Sequence, residues 1–491
     1  MSERPSARLW TATALAATLA ALLAPGAANA ADRIYWANFG APERISFANL
    51  DGSGGTNLNT AGALVKIPIG LALDPAAGRA YWTNETSPGG VSYASLDGSG
   101  GAGNLNTGAA TVKGPSGAAI DPVARRIYWG NIGDGTIGWA KLDGSGGGNL
   151  NTGVATVNGN YGLEVDPVGG RVYWTNAAKA GSISYANLDG SGGADLPITG
   201  SATLEYPFGL AIDPVDRRIY WANDIVSGKI SYASLDGTGS ADLNTSGATV
   251  SQPYGVAVDA DQHRVYWANS SGGLAYADTT GAGGTNLTIT GGFASGALNF
   301  PNLLEAPRGT ASPTVAGSAK PGGTLRCTRG GWKEDIVSTS LYRAPTAYAY
   351  QWSRSGKPVD GATSATVSAQ DVGEYRCTVT ASNPVGSASQ TSPVAAVFKV
   401  GKARLNRKKG TAKLPVSLPG SGQLKVSGRG YKATRKSVDF AKTLKLTIRA
   451  RGKPLKKLKA SGKAKLKLTF AFSTSDGSVA TQTKSVVLRK K

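Results

Sequence analysis

Six Tyr-Trp pairs stand along the first 270 residues of this 491-residue chain at almost constant spacing. They are Tyr35-Trp36, Tyr81-Trp82, Tyr128-Trp129, Tyr173-Trp174, Tyr220-Trp221 and Tyr266-Trp267. Successive gaps measure 46, 47, 45, 47 and 46 residues. A period of about 40–50 residues made of several short strands fits propeller blades and not the helix pairs of a solenoid. One such unit cannot bury its apolar faces alone, so folding and function belong to the assembled ring.

Three more phrases recur within each period. A Gly-apolar-x-apolar-Asp-Pro run at 70–75, 117–122, 162–167 and 209–214, with Ala260 replacing Pro at 255–260, alternates like a strand and ends in a turn. Arg79, Arg126, Arg171, Arg218 and Arg264 each stand two residues before the Tyr. An Ile-Ser-Tyr-Ala-like strand then runs into Leu-Asp-Gly, a hairpin signal, and an Asn-Leu-Asn-Thr phrase such as Asn149 to Thr152 is read as a fourth strand. A chain beginning at Ala31 enters directly on a Tyr-Trp strand, so its first blade lacks the innermost strand. Residues Gly296 to Pro301 are a degenerate copy of that missing phrase. Placed in the first blade, they close the ring and remove its exposed sheet edges.

Motif, period, repeat number and closure together resemble the six-bladed YWTD propeller of the low-density lipoprotein receptor class B family, over residues 31–303. The resemblance implies the fold and leaves the ligand open. The fourth motif position departs from the family, reading Asn38, Asn84, Asn131, Asn176, Asn223 and Asn269. Asn keeps a hydrogen-bonding side chain without the charge. The EGF-like modules that flank the family's propellers are also missing here. Six-fold repetition of Tyr, Trp and Asn marks architecture, so departures from the repeat are the better functional clues.

In propellers, the loops joining strand four to the next strand one, and strand two to strand three, gather on one face. The residue before the strand-one Gly varies: Ile69, Ser116, Tyr161, Phe208, Tyr254 and Ser295. Tyr161, Phe208 and Tyr254 on neighbouring blades, with Ile69, are expected to form an apolar or sugar-stacking platform at the channel mouth. Loop charges Glu43, Arg44, Glu85, Asp134, Lys179 and Asp224 surround it. Glu164 is a lone acid where other blades carry Ala72, Ala119, Ala211 and Ala257. The only His, His263, falls in a turn on the opposite face, and the propeller has no Cys. The usual base, nucleophile and soft-metal ligands are therefore missing, and the expectation is a binding protein with no catalytic residue, metal or cofactor. The alternative is a hydrolase or lyase on a small ligand, calcium-dependent or carboxylate-based, as in lactonase-like propellers, with only Glu164 placed for it.

The rest of the chain divides by charge. Residues 31–305 hold 14 basic and 23 acidic groups, whereas residues 399–491 hold 27 basic and 2 acidic. Residues 1–30 read as a secretory signal, with Arg4 and Arg8, an apolar run from Thr11 to Leu23, and Ala28-Asn29-Ala30 as cleavage site. No later segment approaches about 18 consecutive apolar residues, so no membrane span is expected after cleavage and the chain should be secreted or held at the cell wall. Residues 306–398 resemble immunoglobulin-like modules: Cys327, Trp352, and Tyr375 two residues before Cys377 match an inter-sheet disulfide, a buried Trp and a tyrosine corner. Residues 332–349 lengthen the Cys-to-Trp gap and read as an inserted loop. Five alternating segments within 412–488, with Pro419-Gly420 and Gly452-Lys453-Pro454 read as punctuation between strands, argue for a third, Lys-coated β domain over 399–491. The expected architecture is thus all-β: propeller, immunoglobulin-like sandwich, basic β domain. The tail's charge should attract anionic cell-envelope polymers. Its few aromatics, Tyr431, Phe440, Phe470 and Phe472, argue against a dedicated nucleic-acid reader. The propeller's expected partner is an extracellular protein or glycan.

Overall fold

The computed structural model describes residues 32–99, 101–270, 272–290, 298–334, 344–383 and 386–490, with the backbone alone of strand Leu298–Leu304. Residues 1–30, read above as a secretory signal, Ser295 to Ala297 and the 335–343 part of the expected insertion lie outside the described residues.

Six four-stranded antiparallel sheets follow the repeat. Blade 2 runs Pro68–Asp74, Arg79–Asn84, Gly90–Ser95 and Gly103–Asn104. In blade 1 the innermost strand is Leu298–Leu304, paired with Arg33–Asn38 from Arg33↔Leu304 to Asn38↔Leu298. The last strand of the repeat thus completes the first sheet, and the propeller is closed.

Strand alternation explains the Tyr-Trp dipeptide. Neighbouring residues of a strand point to opposite faces, so Tyr and Trp serve opposite sides of their blade. Tyr35 shares an apolar cluster with Trp82, Tyr81 with Trp129, Tyr128 with Trp174 and Tyr173 with Trp221. Tyr220 then meets Trp267, and Tyr266 returns to Trp36. Each Tyr packs on the Trp of the next blade, and the sixth packs on the first. All six Trp are fully buried.

The repeated polar residues brace each sheet from within. The Arg before each Tyr lies 4.1–5.1 Å over the strand-three ring, including Arg33 on Phe47 and Arg126 on Trp139, a cation–π contact. The Asn after each Tyr-Trp pair does what a carboxylate could not. Asn223 accepts from the Glu205 N–H at 3.0 Å and donates to the Lys229 carbonyl and to Ser231 Oγ at 3.3 and 2.9 Å. Ser231 in turn donates to Asp242 on strand four at 2.6 Å. An ionised Asp has no N–H for the two donor bonds.

The fourth strands are shorter than the sequence suggested. Five of them end at the first residue of the Asn-Leu-Asn-Thr phrase, Asn57, Asn104, Asn149, Asp195 or Asp242, and the sixth, Gly284–Leu287, runs one residue further. The remainder leaves the sheet and latches the next blade: Asn59, Asn106, Asn151 and Asn244 donate to the carbonyls of Gly98, Gly144, Gly190 and Gly281 in the neighbouring hairpins. Those backbones follow the blade boundary instead of the ladder.

Beyond the ring, a three-stranded sheet (Val315–Gly317, Gly323–Cys327, Thr366–Ala369) faces a five-stranded one built on Ala347–Arg354 and Gly373–Ser382. Cys327 and Cys377 form a disulfide between the two sheets, and fully buried Trp352 packs in the same cluster. The Tyr375 hydroxyl donates to the Asp371 carbonyl at 3.2 Å. This middle unit touches the propeller where Arg308 and Lys333 meet Asp261, at 3.5 and 3.7 Å.

Residues 399–490 form two further four-stranded sheets over a core of Leu, Val, Ile and Phe. Val394, Ala396 and Phe398 of the middle unit belong to that same core, so no flexible linker separates the two. Gln482 Nε2 donates to the carbonyls of Ala319 and Phe398 at 2.6 and 2.5 Å. Asp476 accepts the Val394 N–H at 3.0 Å. Burial opposes its charge, but donors from Thr474, Val394 and Ser478 outweigh it and hold the carboxyl down to about 2. One expectation is corrected: Gly452-Lys453-Pro454, read as strand punctuation, opens a helix, Gly452–Ser461. Pro is tolerated in a first turn, Leu458 anchors the helix to the core, and Gly462 at φ 65° stops it.

Candidate functional site

Two positions of the repeat build the propeller mouth. The first is the residue before the strand-one Gly. There Tyr161 and Phe208 stack with ring centroids 4.2 Å apart, and Tyr254 meets Phe208 edge-on at 5.1 Å. The second is the residue after the motif Asn, at the start of each strand 2–3 loop. It supplies Phe39, edge-on to Tyr254 at 5.8 Å, together with Glu85 and Asp224. The three aromatics named from the sequence do converge, and all remain half-buried instead of sealed in a core. Phe39 was missed. Aligning the residue after Asn across the six blades, where Phe39, Glu85, Ile132, Ala177, Asp224 and Ser270 differ, is the signal that finds it.

The rim is electrically uncompensated on one side. Burial pushes the Glu85 and Asp224 carboxyls up. Burial raises the Tyr161 hydroxyl first, with Glu85 and Tyr254 adding to it, and Tyr254 is raised by burial and then by Asp224. Other loop charges serve the scaffold. Glu43 accepts the Ile67 N–H at 3.1 Å and pairs with Lys66 at 3.4 Å, and Asp134 accepts from Thr136 at 2.8 Å. Ile69 is only 6% exposed and offers a ligand little surface.

Glu164 does not join the aromatic group. It lies three residues further along the innermost strand, about 10 Å from Tyr161 by strand rise, opposite Tyr173. The equivalent Ala72, Ala119, Ala211 and Ala257 are all buried. Burial pushes its carboxyl up to about 8, against a hydrogen bond accepted from the Val165 N–H at 3.2 Å. An acid whose folded value stands above its unfolded value loses stability as pH rises. The loss begins near 4.5 and is complete above about 8. Glu164→Gln should therefore be more stable than the parent at pH 9, on the order of 2 kcal/mol after discounting for partial exposure, and the gain should vanish below pH 4.5. Parallel thermal melts across that range check it.

The opposite face carries the turns between strands one and two. His263 lies there, as expected, at φ 53°. Arg217 reaches back to Asp166 of the preceding blade at 2.6 Å, and Arg125 likewise clasps Asp74. A cavity of about 560 Å³ opens on this face between blades 2 and 3, lined by Arg79, Tyr81, Arg125 and Lys141. It is remote from the aromatic mouth, and its two arginines are already engaged in scaffold contacts.

No family model matches the sequence, and no curated protein matches it. Similar solved structures exist. A nidogen/laminin complex shares 20% identity at a TM-score of 0.43, covering 55% of this chain and 98% of that one. A gluconolactonase from Xanthomonas campestris shares 18% at 0.36, covering 60% and 90%. Hydrazine synthase of Kuenenia stuttgartiensis shares 14% at 0.36, covering 48% and 70%. The propeller assignment rests on the sheet pairings and not on these scores. Among the described residues no helix is long and apolar enough to cross a membrane, and no group of three or more His, Cys, Asp or Glu is placed to hold a metal ion.

Proposed function

We propose that this chain is an exported binding protein of the cell surface or surrounding medium, and that its propeller is not an enzyme. The propeller mouth binds an extracellular protein or glycan. Residues 306–398, an immunoglobulin-like unit, space the ring from the basic unit 399–491, which retains the chain on anionic envelope polymers. One observation carries the binding role: Tyr161, Phe208, Tyr254 and Phe39 form a continuous half-buried aromatic patch where the repeat itself requires none. Half-exposed aromatics present large contact area at little entropic cost, and their faces suit both sugar rings and apolar side chains.

Screening the full chain against extracellular proteins and glycans tests this. At least one binder is expected whose affinity falls tenfold or more on Phe208→Ala, with the melting temperature of the propeller nearly unchanged. A binder indifferent to that substitution would refute the site.

The second reading is hydrolysis or lysis of a small ligand, and Glu164 alone favours it. A carboxyl pushed up to about 8 is protonated at neutral pH, as a general acid must be. Turnover of an ester or lactone that disappears in Glu164→Gln, with or without calcium, would establish that reading in place of the first.

A further inference from the structure

The basic unit is charge-polarised, and we propose that its end remote from the middle unit is the contact surface for a linear, base-free phosphate polymer. This rests on the retention role assigned above and places it on particular residues.

The strand registers define the two ends. Lys463 lies opposite Arg489, and Ala412 opposite Ile448. Gly410 sits against Leu458 and Lys490, the Lys490 N–H bonds the Gly462 carbonyl, and the Arg451 N–H bonds the Gly430 carbonyl. These contacts gather the turn 407–409, the loop 428–433, the helix with its flanks 449–463, and residues 489–490 at one end. Together they carry fourteen Lys and Arg and no Asp or Glu. All fourteen are exposed.

Both acids of the unit lie at the other end. Gly422 pairs with Val438 and with Thr474, which brings the neighbouring Asp439 and Asp476 to the same end. There Asp476 binds the middle unit through Val394. Among the described residues the only ion pair reaching into the basic unit is Arg376–Asp476 at 3.5 Å, again at the acidic end. The cationic end therefore faces away from the rest of the chain with no internal counter-charge.

The unit's other thirteen Lys and Arg lie outside the tip, on the part that also holds both acids, so the tip is where positive charge stands without any acid, and gathering fourteen cations there adds self-repulsion. A polyanion relieves that repulsion and releases its own counterions on binding. The exposed apolar residues at this end are only Leu405 and Leu455, 39% and 36% exposed, too little to seat a helix in a bilayer. Tyr431 is the one aromatic in these segments; it is half-buried against the core with its hydroxyl on Thr434, and a single ring falls short of a platform for stacking successive bases, which favours a polymer without bases.

Salt elution of the full chain from immobilised long-chain polyphosphate tests the proposal. Two triple variants remove equal charge: Lys453→Gln, Lys456→Gln and Lys457→Gln at the tip, and Lys399→Gln, Lys425→Gln and Lys445→Gln elsewhere on the same unit. The tip variant should elute at about half the parent's salt concentration, with the control close to the parent and both melting like it. Equal shifts in the two variants would overturn the tip assignment and leave retention standing. A parent chain that polyphosphate fails to hold at physiological salt would overturn retention itself. Single-stranded DNA competing tenfold better than polyphosphate, at equal phosphate, would overturn the base-free partner.

Discussion

Gly162→Ala should destabilise the propeller by about 3 kcal/mol or more and lower its unfolding midpoint accordingly. An added Cβ at this position would lie 2.1 Å from the Phe208 carbonyl oxygen and 2.8 Å from the Leu210 nitrogen. Both obstacles are backbone atoms of the next blade's innermost strand. That strand cannot yield, because its own neighbour approaches as closely: a Cβ on Gly209 would meet the Gly255 Cα at 2.4 Å. Gly117 stands in the same relation to the Tyr161 carbonyl, at 2.1 Å. At these glycines the inner strands of successive blades thus approach too closely for a Cβ, which explains the Gly that opens each strand-one phrase. Denaturant unfolding followed by Trp fluorescence reads the effect, since all six buried propeller Trp report on blade packing. An unchanged midpoint would mean that the ring is looser at its axis than these distances require.

Replacing Cys327 and Cys377 together by Ala should cost the middle unit about 4 kcal/mol on the chain-entropy model, because the bridge closes a loop with a sequence separation of 50. The loss should extend past residue 398. Val394, Ala396 and Phe398 sit in the core of the basic unit, and Gln482 and Asp476 bind across the same junction. Calorimetry should therefore show the transition of 306–490 moving down as one, while the propeller transition stays in place. Separate movement of the middle unit alone would contradict the shared core.

The ring was legible because its constraint is periodic. Tyr-Trp and the strand-one Gly each have one physical cause repeated six times, so a single sequence displays it many times over, and the closing strand is found as the one copy of the phrase that the first blade lacks. The mouth was legible in part, for the complementary reason. Tyr161, Phe208 and Tyr254 break a pattern and so draw notice, whereas Phe39 sits in a loop whose residues vary in every blade. Ile69 illustrates the limit. It shares a repeat position with the three aromatics, but its shorter side chain stays in the blade packing. In the tail, alternating strands could be read from Lys and apolar residues, while the helix Gly452–Ser461 could not. Its Gly and Pro resemble a turn, and only the packing of Leu458 into the sheet core shows why the segment coils. The polarity of the tail's charge was equally hidden, since it depends on which strand ends lie together.

Backbone hydrogen exchange of the full chain, with and without a captured extracellular protein or glycan, tests the central claim most directly. Protection is expected at the loops beginning with Phe39, Glu85 and Asp224 and at the segments around Tyr161, Phe208 and Tyr254, which come from different blades and share only the mouth. Protection confined to the opposite face, around His263 and Arg217, or to the outer fourth strands, would contradict it.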